Sequence, residues 1–119
     1  MSHYDWNQIP EERLNPLVTR RVIHTVAMTL ARLRIAKSAV VPAHRHVNEQ
    51  LAMVEQGALK FDLDGEQILV SAGQALAIPS GVPHGVEAME DTVVMDLFTP
   101  RRQDWIDEGE KGVRRIFSA

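Results

Sequence analysis

Two histidines one residue apart, His44 and His46, with Gln50 four residues further on and His84 well downstream, are the side chains of this sequence best suited to hold a metal ion. Alternate residues of an extended strand project to one face, so both imidazoles of His44-Arg45-His46 can converge on one point. Three imidazoles and an amide oxygen make a four-donor site with positions left for substrate or water. Glu49 competes with Gln50 as the oxygen donor; strand parity and the six residues separating Gln50 from Gly57 favour Gln50. The chain has no cysteine, which excludes disulfides, thiolate metal sites and cysteine nucleophiles together. An isolated H-x-H is more often a pair of exposed or hydrogen-bonded histidines than a ligand pair, so this motif alone decides nothing.

A second candidate lies in TVVMDLF, residues 92–98, where Val94, Asp96 and Phe98 share one face and Val93, Met95 and Leu97 the other. Asp96 is a carboxylate in an otherwise apolar strand. Turned toward a metal pocket, its partial desolvation would raise its pKa into a range useful for proton transfer. Turned outward, it would be an ordinary solvated charge, and the pattern leaves both orientations open.

The elements that must position these residues are short and frequently interrupted, by Pro42, Gly57, Asp64-Gly65, Gly73, Pro79-Ser80-Gly81, Pro83, Gly85 and Pro100. ALKFDL, residues 58–63, alternates with Leu59, Phe61 and Leu63 on one face, as a half-buried strand does. Asp64-Gly65 supplies the positive φ angles of a type I′ turn, and residues 66–71 return as the partner strand. Residues 75–78 and 92–98 are further strands. The stretch 17–35 reads either as a helix through Val22, Val26, Leu30 and Leu33 or as two strands; the β-rich remainder favours strands, with Thr19, Arg21, Arg32 and Arg34 outward and Val18, Val22, Leu33 and Ile35 available for a core. So many short strands must close on themselves or pack as two sheets to hide their edges, which predicts an all-β barrel or jelly roll.

The 119 residues predict a single domain: an N-terminal arm over 1–16, a barrel over about 17–100 and a C-terminal tail over 101–119 with a short helix near 103–107. A net charge of −3 with no basic block argues against nucleic acid as a partner. The absence of an 18-residue apolar run argues against a membrane span, and the expected compartment is the cytoplasm. Met28, Met53, Met89 and Met95 read as core filler, and His3 and His24 as non-ligands. Trp105 is expected to pack the tail on the barrel mouth, with stacking on a sugar ring as the alternative, and Tyr4 and Trp6 to belong to an N-terminal strand or arm reaching a second subunit.

The order His44-x-His46, three residues, Gln50, six residues, Gly57, followed by Gly73, five residues, Pro79-Ser80-Gly81, two residues, His84, resembles the two motifs of the cupin superfamily. The resemblance spans roughly residues 17–105 and implies a double-stranded β-helix barrel enclosing a divalent metal bound by His44, His46, Gln50 and His84. Two positions depart from it: Ser38 stands where the first motif begins with Gly, and Ala88 where the second ends with Asn. Nickel, zinc, iron, manganese and cobalt all suit such a donor set. A neutral Gln in place of the commoner carboxylate leaves the cation's charge uncompensated, which favours Lewis-acid over oxygen chemistry.

Asp96 to Trp105, DLFTPRRQDW, is similar to the D-x-F-x-P-x-R-x-D-W signature of the KdgF-like cupins. That resemblance implies conversion of 4,5-unsaturated monouronates, released from pectin or alginate, to their linear keto form. It also implies an active-site set of Asp96, Phe98 and Arg102 beside the metal: Asp96 moving the proton, Arg102 pairing with the substrate carboxylate and Phe98 packing on the ring. A homodimer acting on a small sugar acid is the expected state. A redox-metal dioxygenase or isomerase and a non-catalytic sugar- or acid-binding cupin are the rival readings; the first would consume oxygen, and the second would bind without turnover.

Overall fold

A computed structural model describes residues 1–108, so the sequence expectations for the end of the tail lie outside the described residues. A 3₁₀ turn at Trp6–Gln8 is followed by β1 (Glu12–Asn15), β2 (Val18–His24), β3 (Thr29–Ile35), β4 (Val40–His44), β5 (Glu49–Gln56), β6 (Ala58–Leu63), β7 (Glu66–Ser71), β8 (Ala75–Ile78), β9 (His84–Ala88) and β10 (Thr92–Thr99). One short helix, α1 (Gln103–Glu108), closes the described chain. The strands form two antiparallel sheets, of order β1-β2-β3-β10-β5-β8 and β4-β9-β6-β7, packed face to face around the core. The all-β expectation holds.

Residues 17–35 form a hairpin of two strands, β2 and β3, paired from Val18 opposite Ile35 to His24 opposite Thr29. In β3 the inward residues Thr29, Ala31, Leu33 and Ile35 are all buried, while Arg34 is exposed. The period of two wins over the helical alternative because it buries this row and keeps Arg32 and Arg34 of β3 off the core. Thr19, expected outward, is buried instead, flanked on the sheet by Arg13 of β1 and Arg34 of β3. The β6–β7 hairpin turns at Asp64 (φ 48°) and Gly65 (φ 93°), both left-handed, with the Gly65 N–H donating to Asp62 Oδ1 at 2.8 Å. No helix among the described residues is long and apolar enough to cross a membrane.

The two departures from the cupin motifs meet each other: the Ser38 N–H donates to the Ala88 carbonyl at 2.8 Å, and the Ala88 N–H to the Ala39 carbonyl at 2.9 Å. Ser38 has φ 78°, which explains why glycine is the usual residue there. The methionines correct the sequence reading. Met53 and Met95 are register partners on the outer face of the large sheet, and Met28 and Met89 are exposed, so none fills the core. Aliphatic and aromatic residues of the inward faces, among them Leu33, Leu59, Ile78, Val94 and Phe61, fill it instead. The 3₁₀ turn lies on this chain's own barrel, where the Trp6 carbonyl accepts from Arg21 Nη1 at 2.8 Å.

Candidate metal centre and active site

His44 and His84 are directly opposed in the β4–β9 ladder, and His46 follows just past the end of β4. The three rings offer nitrogens that all lie within 4.8 Å of one another. Each ring is oriented by a backbone carbonyl two residues away: His44 Nδ1 lies 2.9 Å from the Pro42 oxygen, His46 Nδ1 3.0 Å from that of Asn48, and His84 Nδ1 2.9 Å from that of Val82. A carbonyl only accepts, so each Nδ1 carries the proton and each Nε2 presents a lone pair. Burial holds all three imidazoles below their ordinary pKa, His46 at about 4, which keeps them neutral.

Gln50 faces this cluster from β5, while Glu49 is exposed on the other side, as strand parity predicts. The Gln50 side chain hydrogen-bonds Asp96, and a carboxylate there takes the amide nitrogen, which turns Oε1 toward His46 Nε2 at 3.1 Å. Two acceptors therefore face each other, and His84 Nε2 is buried with no partner. Such an arrangement is costly without a cation between the donors and natural with one, so the residues fit a divalent metal.

Asp96 points inward, which settles the choice the sequence left open. Its register neighbours are Ala31 on β3 and Ala52 on β5, both fully buried, and these two methyl side chains leave space around the carboxylate. Its Oδ1 is buried without a hydrogen-bond partner, although the residue as a whole is not fully enclosed. Burial raises its pKa to about 7, against the opposing pull of the Gln50 hydrogen bond and the Arg102 charge. Phe98, one register step along, is opposite Gln50 and stands edge-on to His46 with ring centroids 5.5 Å apart.

Arg102 is 2% exposed and enters the same chamber. Its guanidinium carbon lies 4.8 Å from the Phe98 ring centre and 4.3 Å from that of Trp105. Its Nε and Nη2 donate to Asp104 Oδ1 and Oδ2 at 3.0 and 2.8 Å, so one edge of the fork is already taken by a carboxylate of this chain. Arg101 points elsewhere, with Nη1 3.4 Å from the Thr25 carbonyl. The chamber they line has a volume of about 50 Å³ and an apolar floor of Leu33, Leu59, Phe61 and Val94. A larger recess of about 480 Å³ lies over the outer face of the small sheet, lined by Val40, Lys60, Asp62 and Glu87, and gathers no set of converging donors.

Three contributors escaped the sequence reading. Asn48, buried between two of the donors, gives its amide to the carbonyls of Pro100 and Arg101 while its own carbonyl orients His46. Thr29 Oγ1 accepts the Arg102 N–H at 2.8 Å and lies 2.7 Å from His24 Nδ1. Arg20 is buried on the inward face of β2, 4.5 Å from the Trp105 ring centre. A polar residue at an inward position of β2 or β3 is the only signal that could have marked Thr29 and Arg20.

The double-stranded barrel with its three converging imidazoles defines a class, and residues 31–99 match the cupin domain, so the chain belongs to the cupin family. Within it, the chain is 27% identical over 103 residues to the pectin degradation protein KdgF of Dickeya dadantii (strain 3937), covering 84% of this chain and 94% of that one. The solved structure of KdgF from Halomonas sp. superposes with a TM-score of 0.82 at 32% identity, covering 87% of this chain and 97% of the other. These two relatives put it among the KdgF-like cupins. An RmlC-like cupin from Shewanella frigidimarina NCIMB 400, 22% identical with a TM-score of 0.81 over 88% of this chain and 96% of that one, shares the fold.

Proposed function

We propose that this chain is a metal-dependent enzyme of pectin or alginate breakdown that converts 4,5-unsaturated monouronates to their linear keto form. The observation that carries the reading is Asp96: a buried carboxylate with a pKa near 7 and an unpartnered oxygen, beside three neutral imidazoles and within the field of Arg102. The KdgF relatives, one of them named for pectin degradation, support the substrate class.

His44, His46, His84 and Gln50 would hold the cation, which would bind substrate oxygens and spread the negative charge that develops on them. The cyclic substrate is a hemiacetal whose ring oxygen is also part of an enol ether. Asp96 as carboxylate accepts the proton of the anomeric hydroxyl; the carbonyl forms at C1 as the bond from C1 to the ring oxygen breaks, and that oxygen leaves as the enolate oxygen on C5. The same proton is then delivered from Asp96 to C4, so the enolate becomes a ketone and the overall change is an isomerisation. A pKa near neutrality suits a group that must both take and return a proton. Arg102 binds the substrate carboxylate, for which the planar guanidinium is better shaped than an ammonium. Phe98 packs on the ring and, with the apolar floor, keeps water from the reacting atoms. The reading takes the protein to act as a homodimer.

The test follows loss of the ultraviolet absorbance of an unsaturated monouronate with wild type, Asp96→Asn and Gln50→Ala. Wild type alone should accelerate it; an Asp96→Asn rate equal to wild type would remove the proton-transfer role.

A further inference from the structure

The chamber beside the metal donors is too small for the ligand just proposed. Its volume of about 50 Å³ is well below the roughly 300 Å³ at which sites for drug-sized ligands begin. Except for Trp105 and Arg102, the residues quoted above as its walls come from the hydrogen-bonded strands of the two sheets. Trp105 comes from α1, a six-residue helix outside both sheets.

We propose that Asp104 and Trp105 of α1 stand, in the ligand-free chain, in the places of the ligand's carboxylate and ring, and that a sugar acid displaces both. The inference rests on the sugar-acid reading above. Asp104 holds the Nε and Nη2 edge of Arg102 as an incoming carboxylate would, with contacts of 3.0 and 2.8 Å. Trp105 sets its indole against the same guanidinium and edge-on to Phe98, with ring centroids 5.2 Å apart. One segment thus offers Arg102 and Phe98 a ring and a carboxylate, the two features of a uronic acid.

One observation favours release of this segment, although Trp105 packs on the core, and another places its hinge. The indole Nε1 is buried with no hydrogen-bond partner in a residue 7% exposed, so the closed state carries a desolvation penalty that water would relieve. The turn before α1 is pinned, by Thr29 Oγ1 to the Arg102 N–H and by the Asn48 amide to the carbonyls of Pro100 and Arg101. A swing of α1 therefore hinges after Arg102, releasing Asp104 and Trp105 while leaving Arg102 anchored. The ligand's apparent affinity is then set by competition with the chain's own carboxylate and ring.

Two variants of the metal-loaded protein test this with galacturonate, a monouronate lacking the reactive double bond, and with galactose as the uncharged control. Trp6→Phe leaves Trp105 as the only indole. Its emission should shift to the red and become several-fold more open to acrylamide quenching as galacturonate saturates, and not with galactose. Asp104→Asn removes the internal carboxylate and should bind galacturonate several-fold more tightly by calorimetry. Calorimetric binding with unchanged Trp105 emission, or weaker binding by Asp104→Asn, overturns the displacement and leaves the sugar-acid reading standing. No binding of galacturonate or of an unsaturated monouronate to wild type would overturn both.

Discussion

Asp96 and Asn48 illustrate how differently single side chains serve this site. Asp96 is a stability liability kept for its chemistry: a carboxyl whose folded pKa is raised from 3.8 to about 7 makes folding favour the protonated form. Between those values the folded state holds the Asp96 proton more tightly than the unfolded one, so the Asp96 contribution to stability falls as pH rises from about 4 to about 7, opposite in sign to that of the three lowered imidazoles. In chelator-treated protein, Asp96→Asn should remove that contribution, changing the slope of stability against pH, and leave the variant more stable than wild type at pH 8, by on the order of a few kcal/mol. Denaturant unfolding across pH reads this directly, and an unchanged slope would contradict the buried-carboxylate account. The same variant should lose about a hundredfold or more of turnover, the usual scale of a positioned proton-transfer group. Asn48→Ala should instead cost about 1–3 kcal/mol of stability, because the Pro100 and Arg101 carbonyls lose their donor. Metal affinity should change little, since His46 is oriented by the backbone oxygen of Asn48.

At the scale of elements, the turns decide whether the strands present their donors in register. Gly57, between β5 and β6, has φ 84°, and a Cβ there would sit 2.4 Å from the Asp91 carbonyl oxygen and 2.5 Å from Thr92 Oγ1. Gly57→Ala combines left-handed backbone strain with a backbone clash, and should destabilise by on the order of 3 kcal/mol or more. Ser38 is the converse case, a non-glycine in the left-handed region at φ 78°. Ser38→Gly removes about 1–2 kcal/mol of strain and adds a smaller unfolded-chain entropy cost. A net gain of about 0.5 kcal/mol in thermal or urea unfolding is expected. The motif position usually filled by glycine would thereby be restored without touching the metal donors.

For the whole molecule, two sheets hold the four donors apart until the barrel closes, so metal and fold should stabilise one another. A ligand that binds only the folded state stabilises it by about 2.7 kcal/mol at a hundred times its dissociation constant. Zinc or nickel should therefore raise the melting temperature of wild type, and the rise should vanish in His84→Ala, whose partner-less Nε2 is removed. An equal rise in both would place the cation elsewhere. The expected homodimer is checked by light scattering, where the mass of one chain would remove it.

The sequence by itself determined the strands β6, β7, β8 and β10, the hairpin at Asp64-Gly65, the shared face of His44 and His46 and the preference for Gln50 over Glu49, because each follows from a period of two or from turn chemistry within a few residues. It left residues 17–35 open between helix and strands and put β1 in the N-terminal arm, because the pairing of β1 with β2 shows only in the folded sheet. It could not decide the direction of Asp96, since a strand's two faces are told apart only by what packs on them; the flanking alanines come from β3 and β5, far away in sequence. The methionines were misjudged for the same reason: hydrophobicity marks a residue as able to be buried without saying which face is covered. Asn48, Thr29 and the α1 carboxylate and indole on Arg102 were decided by tertiary structure alone, because each acts on a partner that only the closed barrel brings within hydrogen-bonding or stacking distance.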